Sequence, residues 1–179
     1  IGDIASDNAA AGGENASDVL DLQQIDDFLV NSQNGTLTEV WKAAYEGINR
    51  ANYLYQYKDT NPSGVAVNFT GKDALYGEVA FLRAYYYFLL LRQYGPIVLL
   101  PNIIPVDASI SETTKPRNSY DECVKYIVDE LDLAAKDLPT VTQNVIDYGR
   151  VDKRTTLAMK ARILLYAASP MFNGNNQDY

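Results

Sequence analysis

Apolar residues recur at three-and-four spacing in four long blocks, separated by runs rich in Gly, Pro, Asn and Asp. That alternation predicts helices joined by irregular loops. The first block, residues 38–57, puts Trp41, Ala44, Tyr45, Ile48, Ala51, Asn52 and Tyr55 on one stripe. Trp41 on such a stripe reads as core, and Asn52 there must find partners, because an unsatisfied buried amide costs roughly 1–3 kcal/mol. The second block, residues 72–94, is the densest in the chain. Across residues 79–91 only Arg83 is charged, and Gly95-Pro96 is a strong stop. This block is expected to form a central helix buried over most of its circumference. Arg83 within it needs a carboxylate; Glu78 is the candidate, although a separation of five is not the ideal helical spacing. Tyr85, Tyr86 and Tyr87 are consecutive and cannot all face one way.

The third block, residues 119–138, opens on a capping box, with Ser119 as N-cap and Glu122 at N3, and ends at Pro139. Tyr120, Cys123, Val124, Ile127, Leu131, Ala134, Ala135 and Leu138 form its stripe, with Cys123 as a small core residue. The fourth, residues 153–168, is capped by Asp152 and stopped by Ser169-Pro170. Its predicted stripe is Leu157, Ala158, Ala161, Leu164, Leu165 and Ala168. A shorter helix over residues 17–30 is marked by Ser17 as N-cap and by Val19, Leu22, Ile25 and Leu29. Residues 97–106, IVLLPNIIPV, carry two prolines, which exclude a helix and a central strand. The expected form is an extended apolar segment lying across helices. Small residues on or beside the stripes, such as Ala44, Ala51 and Ala134, suit closely packed antiparallel neighbours. The predicted architecture is therefore all-α: stacked helical hairpins of the tetratricopeptide kind over residues 37–179, with long irregular loops, behind an acidic loop region at 1–36.

Composition narrows the functions this scaffold can carry. The chain has 179 residues, 47% of them hydrophobic, enough for one domain with a real core. The net charge of −8 opposes nucleic-acid binding, which needs a basic face. The acid is concentrated early, with Asp3, Asp7, Glu14, Asp18, Asp21, Asp26 and Asp27 all ahead of the first basic residue, Lys42. There is no His, which removes Ser-His-Asp and Cys-His catalysis and His-ligated metals. The single cysteine, Cys123, excludes an internal disulfide and a cysteine-based cluster. The oxygen-rich opening could ligate calcium or hydrogen-bond a ligand, but its spacing matches no EF-hand loop and reads first as a solvated acidic segment. No carboxylate pair stands out for glycoside hydrolysis. No catalytic, cofactor or metal residue is assigned. The chain lacks an initiator Met and ends in a polar tail, so it is expected to be a piece of a longer protein, truncated at both ends.

Taken in order, the motifs resemble a known family. Ser6-Asp7-Asn8 is similar to an early S-D-x element. Trp41, Tyr45, Ile48, Ala51 and Asn52 fit W-x-x-x-Y-x-x-I-x-x-A-N. Residues 77–95, GEVAFLRAYYYFLLLRQYG, fit G-E-A-x-F-L-R-A-x-x-Y-F-x-L-x-R-x-[YF]-G. Residues 117–139 resemble a helix ending D-L-x-x-A-x-x-x-L-P, with Glu130-Leu131 in place of Asp-Leu, and Gly149-Arg150 with residues 158–166 resembles the next one. Each piece is mostly helix packing; the ordered set resembles the SusD/RagB family of outer-membrane nutrient-binding lipoproteins of Bacteroidetes-type bacteria. The resemblance implies a non-enzymatic protein held on the cell-surface face of the outer membrane by an N-terminal lipid. It would capture glycans, or other oligomeric nutrients, for a SusC-like TonB-dependent transporter. It further implies that the segment after the S-D-x element contributes to ligand capture. In this chain that segment, residues 7–36, holds no Trp or Tyr and only Phe28. The candidate ligand-binding residues are therefore polar: Asp7, Asn8 and Asn31. Two competing readings remain, a helical-repeat protein–protein interaction module and, behind it, a glycoside-active enzyme.

Overall fold

The computed structural model describes residues 35–105, 107–110, 114–141 and 147–173. Its elements are α1 (Gly35–Gln56), α2 (Lys72–Tyr94), α3 (Tyr120–Asp137), α4 (Lys153–Ala167) and a single turn, α5 (Pro170–Asn173). Among the described residues there is no strand, only an isolated antiparallel bridge between Thr60 and Ala66 within the loop after α1. The chain divides into two units, Ile1–Ala43 and Ala44–Tyr179; the contacts described below all lie within the second. The fold is all-α, as the periodicity predicts. The helix expected over residues 17–30 lies outside the described residues.

Helix ends follow local chemistry. Ser119 and Glu122 form the reciprocal capping box at α3, and the Asp152 side chain accepts from the Thr155 backbone N–H at α4. Gly95 closes α2 at φ 66°, a backbone conformation that favours glycine, and its N–H bonds the Leu91 carbonyl. Two ends differ from expectation. α1 begins at Gly35, ahead of residue 38. Pro170 does not merely stop α4; it opens α5, where its fixed φ and missing N–H suit a first helical position.

α3 packs against both α2 and α4. Gly77 marks the close approach to α2, since a Cβ there would sit 3.0 Å from Leu138 Cγ and 3.3 Å from the Ala134 carbonyl oxygen. Around it Ala80, Ala134 and Leu138 form a core against which Tyr55, Phe81 and Val151 pack. Tyr87, Leu90, Leu91, Ile127, Leu131 and Ile163 are fully buried. Side chains of this size stabilise by roughly 1.5–3 kcal/mol each when removed from water.

Two packing expectations need correction. α2 is buried on one broad face, not most of its circumference: Leu75, Leu82 and Tyr85 line up on an exposed side. Along α4 the buried line is Thr156, Ile163 and Ala167, whereas Leu157 and Leu165 are exposed, as are Ala158 and Ala161. The reason is chemical. Thr156 buries its hydroxyl by donating to the Asp152 carbonyl, and Lys160 on the same side pairs with Asp132 of α3 at 2.7 Å. A polar residue and a charged one thus sit on the packed face and disguise it in the sequence.

Candidate functional site

The connector after α2 carries most of the polar organisation of the second unit. Residues 97–100 belong to no helix and have no partner strand, so their backbone groups need other partners. Side chains from α1, α2 and the approach to α3 supply them. Tyr45 Oη donates to the Val98 carbonyl at 2.9 Å. Tyr87 Oη donates to the Leu100 carbonyl at 3.0 Å and accepts from the Leu100 N–H at 2.9 Å. Asn52 Nδ2 donates to the same carbonyl at 2.7 Å. Leu99 N–H donates to Asn118 Oδ1, and the Ile97 carbonyl accepts from the Asn118 backbone and the Cys123 thiol. The segment is a strap stitched down by side chains, which explains how an apolar run with two prolines is held without a sheet.

Beneath the strap lies a buried ion pair. Arg83 Nε and Nη2 donate to the two carboxylate oxygens of Glu130 at 2.8 and 2.7 Å, and Nη1 donates to Asn52 Oδ1 at 2.9 Å. Arg83 and Glu130 are 6% and 9% exposed, which makes their mutual pairing obligatory. The guanidinium also stacks over the Tyr55 ring, its Cζ 4.4 Å from the centroid. Glu78 is not its partner. Glu78 accepts a bidentate pair from Arg150, at 2.8 and 2.7 Å, because it faces the start of α4 while Arg83 faces α3.

Burial sets the ionisation of this layer. It pushes the Tyr55 phenol up to about 12, reinforced by the Glu130 charge. The Tyr126 phenol rises to about 12 for the same two reasons. Burial alone would lower Arg83; the charge and hydrogen bonds of Glu130, together with the Tyr126 and Tyr55 phenols, outweigh it and hold the guanidinium above its ordinary value. Burial raises Glu130 even with Arg83 beside it. No group here is poised as a nucleophile or as one of two carboxylates separated for acid–base work.

Asn52, Tyr55 and Arg83 form the floor of an open cleft of about 520 Å³, and Gln56, Asn102 and Pro101 form its rim. Such a volume is in the range of small-ligand sites. The floor groups are already committed to one another and to the strap, so the hydrogen-bonding capacity open to a ligand is that of the exposed rim amides Gln56 and Asn102, which serve as donors and acceptors. Among the described residues no group of His, Cys, Asp and Glu could hold a metal ion, and no helix is long and apolar enough to cross a membrane.

The sequence-predicted ligand residues Asp7, Asn8 and Asn31 lie outside the described residues. The cleft residues Gln56 and Asn102 carried no signal in the sequence, being polar residues of an exposed helix end and a loop. Asn52 did carry one: an amide on an apolar stripe had to be paired, and it is, to Arg83 and to the strap.

Residues 2–165 match the family model SusD-like_3, described as starch-binding associating with outer membrane, and the chain belongs to that SusD-like family. It is similar to a SusD-like protein of Bacteroides ovatus, at 24% identity over 84% of this chain and 26% of the relative. The crystal structure of a SusD-like protein from Bacteroides fragilis superposes with a TM-score of 0.70 at 26% identity, covering 83% of this chain and 28% of that one. Surface glycan-binding protein A from Bacteroides uniformis shares the fold, with a TM-score of 0.74 at 24% identity over 95% of this chain and 36% of that one. The chain thus spans about a quarter of the length of the first two relatives.

Proposed function

We propose that the protein of which this chain forms part binds glycans at the cell-surface face of the outer membrane and passes them, unmodified, to a SusC-like TonB-dependent transporter. The observation that carries the reading is the match of residues 2–165 to a family described as starch-binding and outer-membrane associated. The chemistry of the cleft agrees with it. The exposed rim amides Gln56 and Asn102, above a floor whose charges are neutralised within the protein, suit a neutral polyhydroxylated ligand. In this reading the helical layer is the scaffold. Asp7, Asn8 and Asn31 add hydrogen bonds to the ligand from the acidic segment, and an N-terminal lipid supplies the anchor.

The test uses the full-length protein with a panel of soluble polysaccharides that includes starch. Native affinity gels and calorimetry read binding, and a reducing-end assay reads cleavage. The expected result is retardation by at least one neutral glycan with no new reducing ends. Release of reducing ends by the purified protein, or no retardation by any glycan, would overturn it. Co-purification of a TonB-dependent transporter from detergent-solubilised membranes tests the partner separately.

A further inference from the structure

A second concavity, of about 400 Å³, lies where α2 begins and α4 is approached, and it shares no lining residue with the strap cleft. Phe69, Gly71, Leu75, Glu78, Asp147 and Arg150 line it. Three features set it apart from ordinary surface. Phe69 and Leu75 are 45% and 37% exposed, an apolar wall that folding leaves open to water. Opposite charges are fixed rather than loose: Arg150 grips Glu78 through two bonds, and its Nη1 stands 3.6 Å from Asp147 Oδ1. This fork holds guanidinium and carboxylate in one plane, as single-point surface pairs do not. Finally, Gly71 precedes α2 at φ 84° with no side-chain cap, and a Cβ built there meets nothing within 4 Å, so the first turn of the helix is open on this side.

The charge pattern selects the ligand class. A phosphate would gain from Arg150 and the helix start but would meet the carboxylates of Glu78 and Asp147. A cation would gain from those carboxylates but would meet Arg150 and the positive end of the helix. A neutral polyol avoids both conflicts. Its hydroxyls can donate to the free lone pairs of Glu78 and Asp147 and accept from Arg150, while its C–H face covers a phenyl ring.

We propose that this concavity is a second carbohydrate subsite, taking one pyranose unit of a neutral glycan, with Phe69 as the stacking wall and the Glu78–Arg150 fork as the hydroxyl clamp. The inference rests on the glycan-binding reading and extends it to a site separate from the strap cleft.

The experiment measures binding of maltoheptaose and laminarihexaose to the full-length protein by calorimetry, for wild type, Phe69→Ala, Arg150→Lys and, as a strap-cleft comparison, Asn102→Ala. Phe69→Ala should weaken binding about tenfold, the loss of one stacking contact. Its thermal midpoint should fall only slightly, because the ring is already half exposed. Arg150→Lys keeps the charge but loses the fork and should weaken binding by a similar factor. A saturation-transfer spectrum should show the ring protons of one sugar unit losing contact in Phe69→Ala while persisting in Asn102→Ala. Wild-type binding left unchanged by both Phe69→Ala and Arg150→Lys would overturn the subsite and leave the glycan-binding reading standing. Wild-type protein that binds neither these oligosaccharides nor any of the polysaccharides above would overturn both.

Discussion

Removing the Arg83 guanidinium should be among the most damaging single changes available to this chain. The two charged groups are 6% and 9% exposed, and no other cation is within ion-pair distance of Glu130 among the described residues. Arg83→Met keeps much of the side-chain volume yet leaves the Glu130 carboxylate buried without its counter-charge. Breaking such a pair from one side costs about 3–5 kcal/mol. The same change strips the Asn52 oxygen of its donor, an orphaned buried acceptor worth roughly 1–3 kcal/mol, though the two costs overlap and do not simply add. Against a total stability of about 5–15 kcal/mol for a domain, a loss of about 3–5 kcal/mol is a fifth or more. Glu130→Leu alone should cost a similar amount, because it leaves the buried guanidinium unpaired. The double variant Arg83→Met/Glu130→Leu removes both charges and should recover most of the loss, ending within about 2 kcal/mol of wild type. Urea unfolding followed by far-UV circular dichroism reads all four proteins, with midpoint shifts compared at constant slope. The reasoning fails if either single variant falls within about 1 kcal/mol of wild type. It also fails if the double variant is as destabilised as the sum of the singles.

Two further outcomes follow from the strap and the tyrosines. Tyr87→Phe deletes the hydroxyl that both donates to and accepts from Leu100. It should cost about 1–2 kcal/mol and speed hydrogen exchange at the Leu100 amide, whose carbonyl keeps Asn52 but whose N–H loses its acceptor; unchanged exchange at Leu100 would refute the pinning role. Tyr55 and Tyr126 are raised to about 12 from an ordinary 10.0, chiefly by burial. Folded values above unfolded ones mean that their contribution is fully present below about pH 10 and is lost as pH rises toward 12. At about pH 11, phenolate absorbance of the native protein should fall short of that of the urea-unfolded protein, and stability should be declining; equal absorbance would show that these phenols are not protected.

The four long helices, the capping box at Ser119, the cap at Asp152 and the stop at Gly95 could be read from the chain itself. All are set by interactions within a few residues, and local order along the chain is enough to reveal them. That the strap would be neither helix nor ladder was legible for the same reason, since two prolines limit the backbone wherever they occur. The partner of Arg83 was not. Glu130 is separated from it by 47 positions, and neither local spacing nor charge distinguished it from the nearer Glu78. The packed face of α4 was also hidden, because Leu157 and Leu165 advertise one side while Thr156 and Lys160, satisfied by Asp152 and Asp132, occupy the other. The cleft beneath the strap brings Asn52, Arg83 and Asn102 together from two helices and a loop, and the second concavity does the same for Phe69, Glu78 and Arg150. Short-range order along the chain therefore specifies the helices and their ends. Which charges pair, which face is covered and where a ligand could sit depend on contacts between residues dozens of positions apart, and these exist only once the helices have packed.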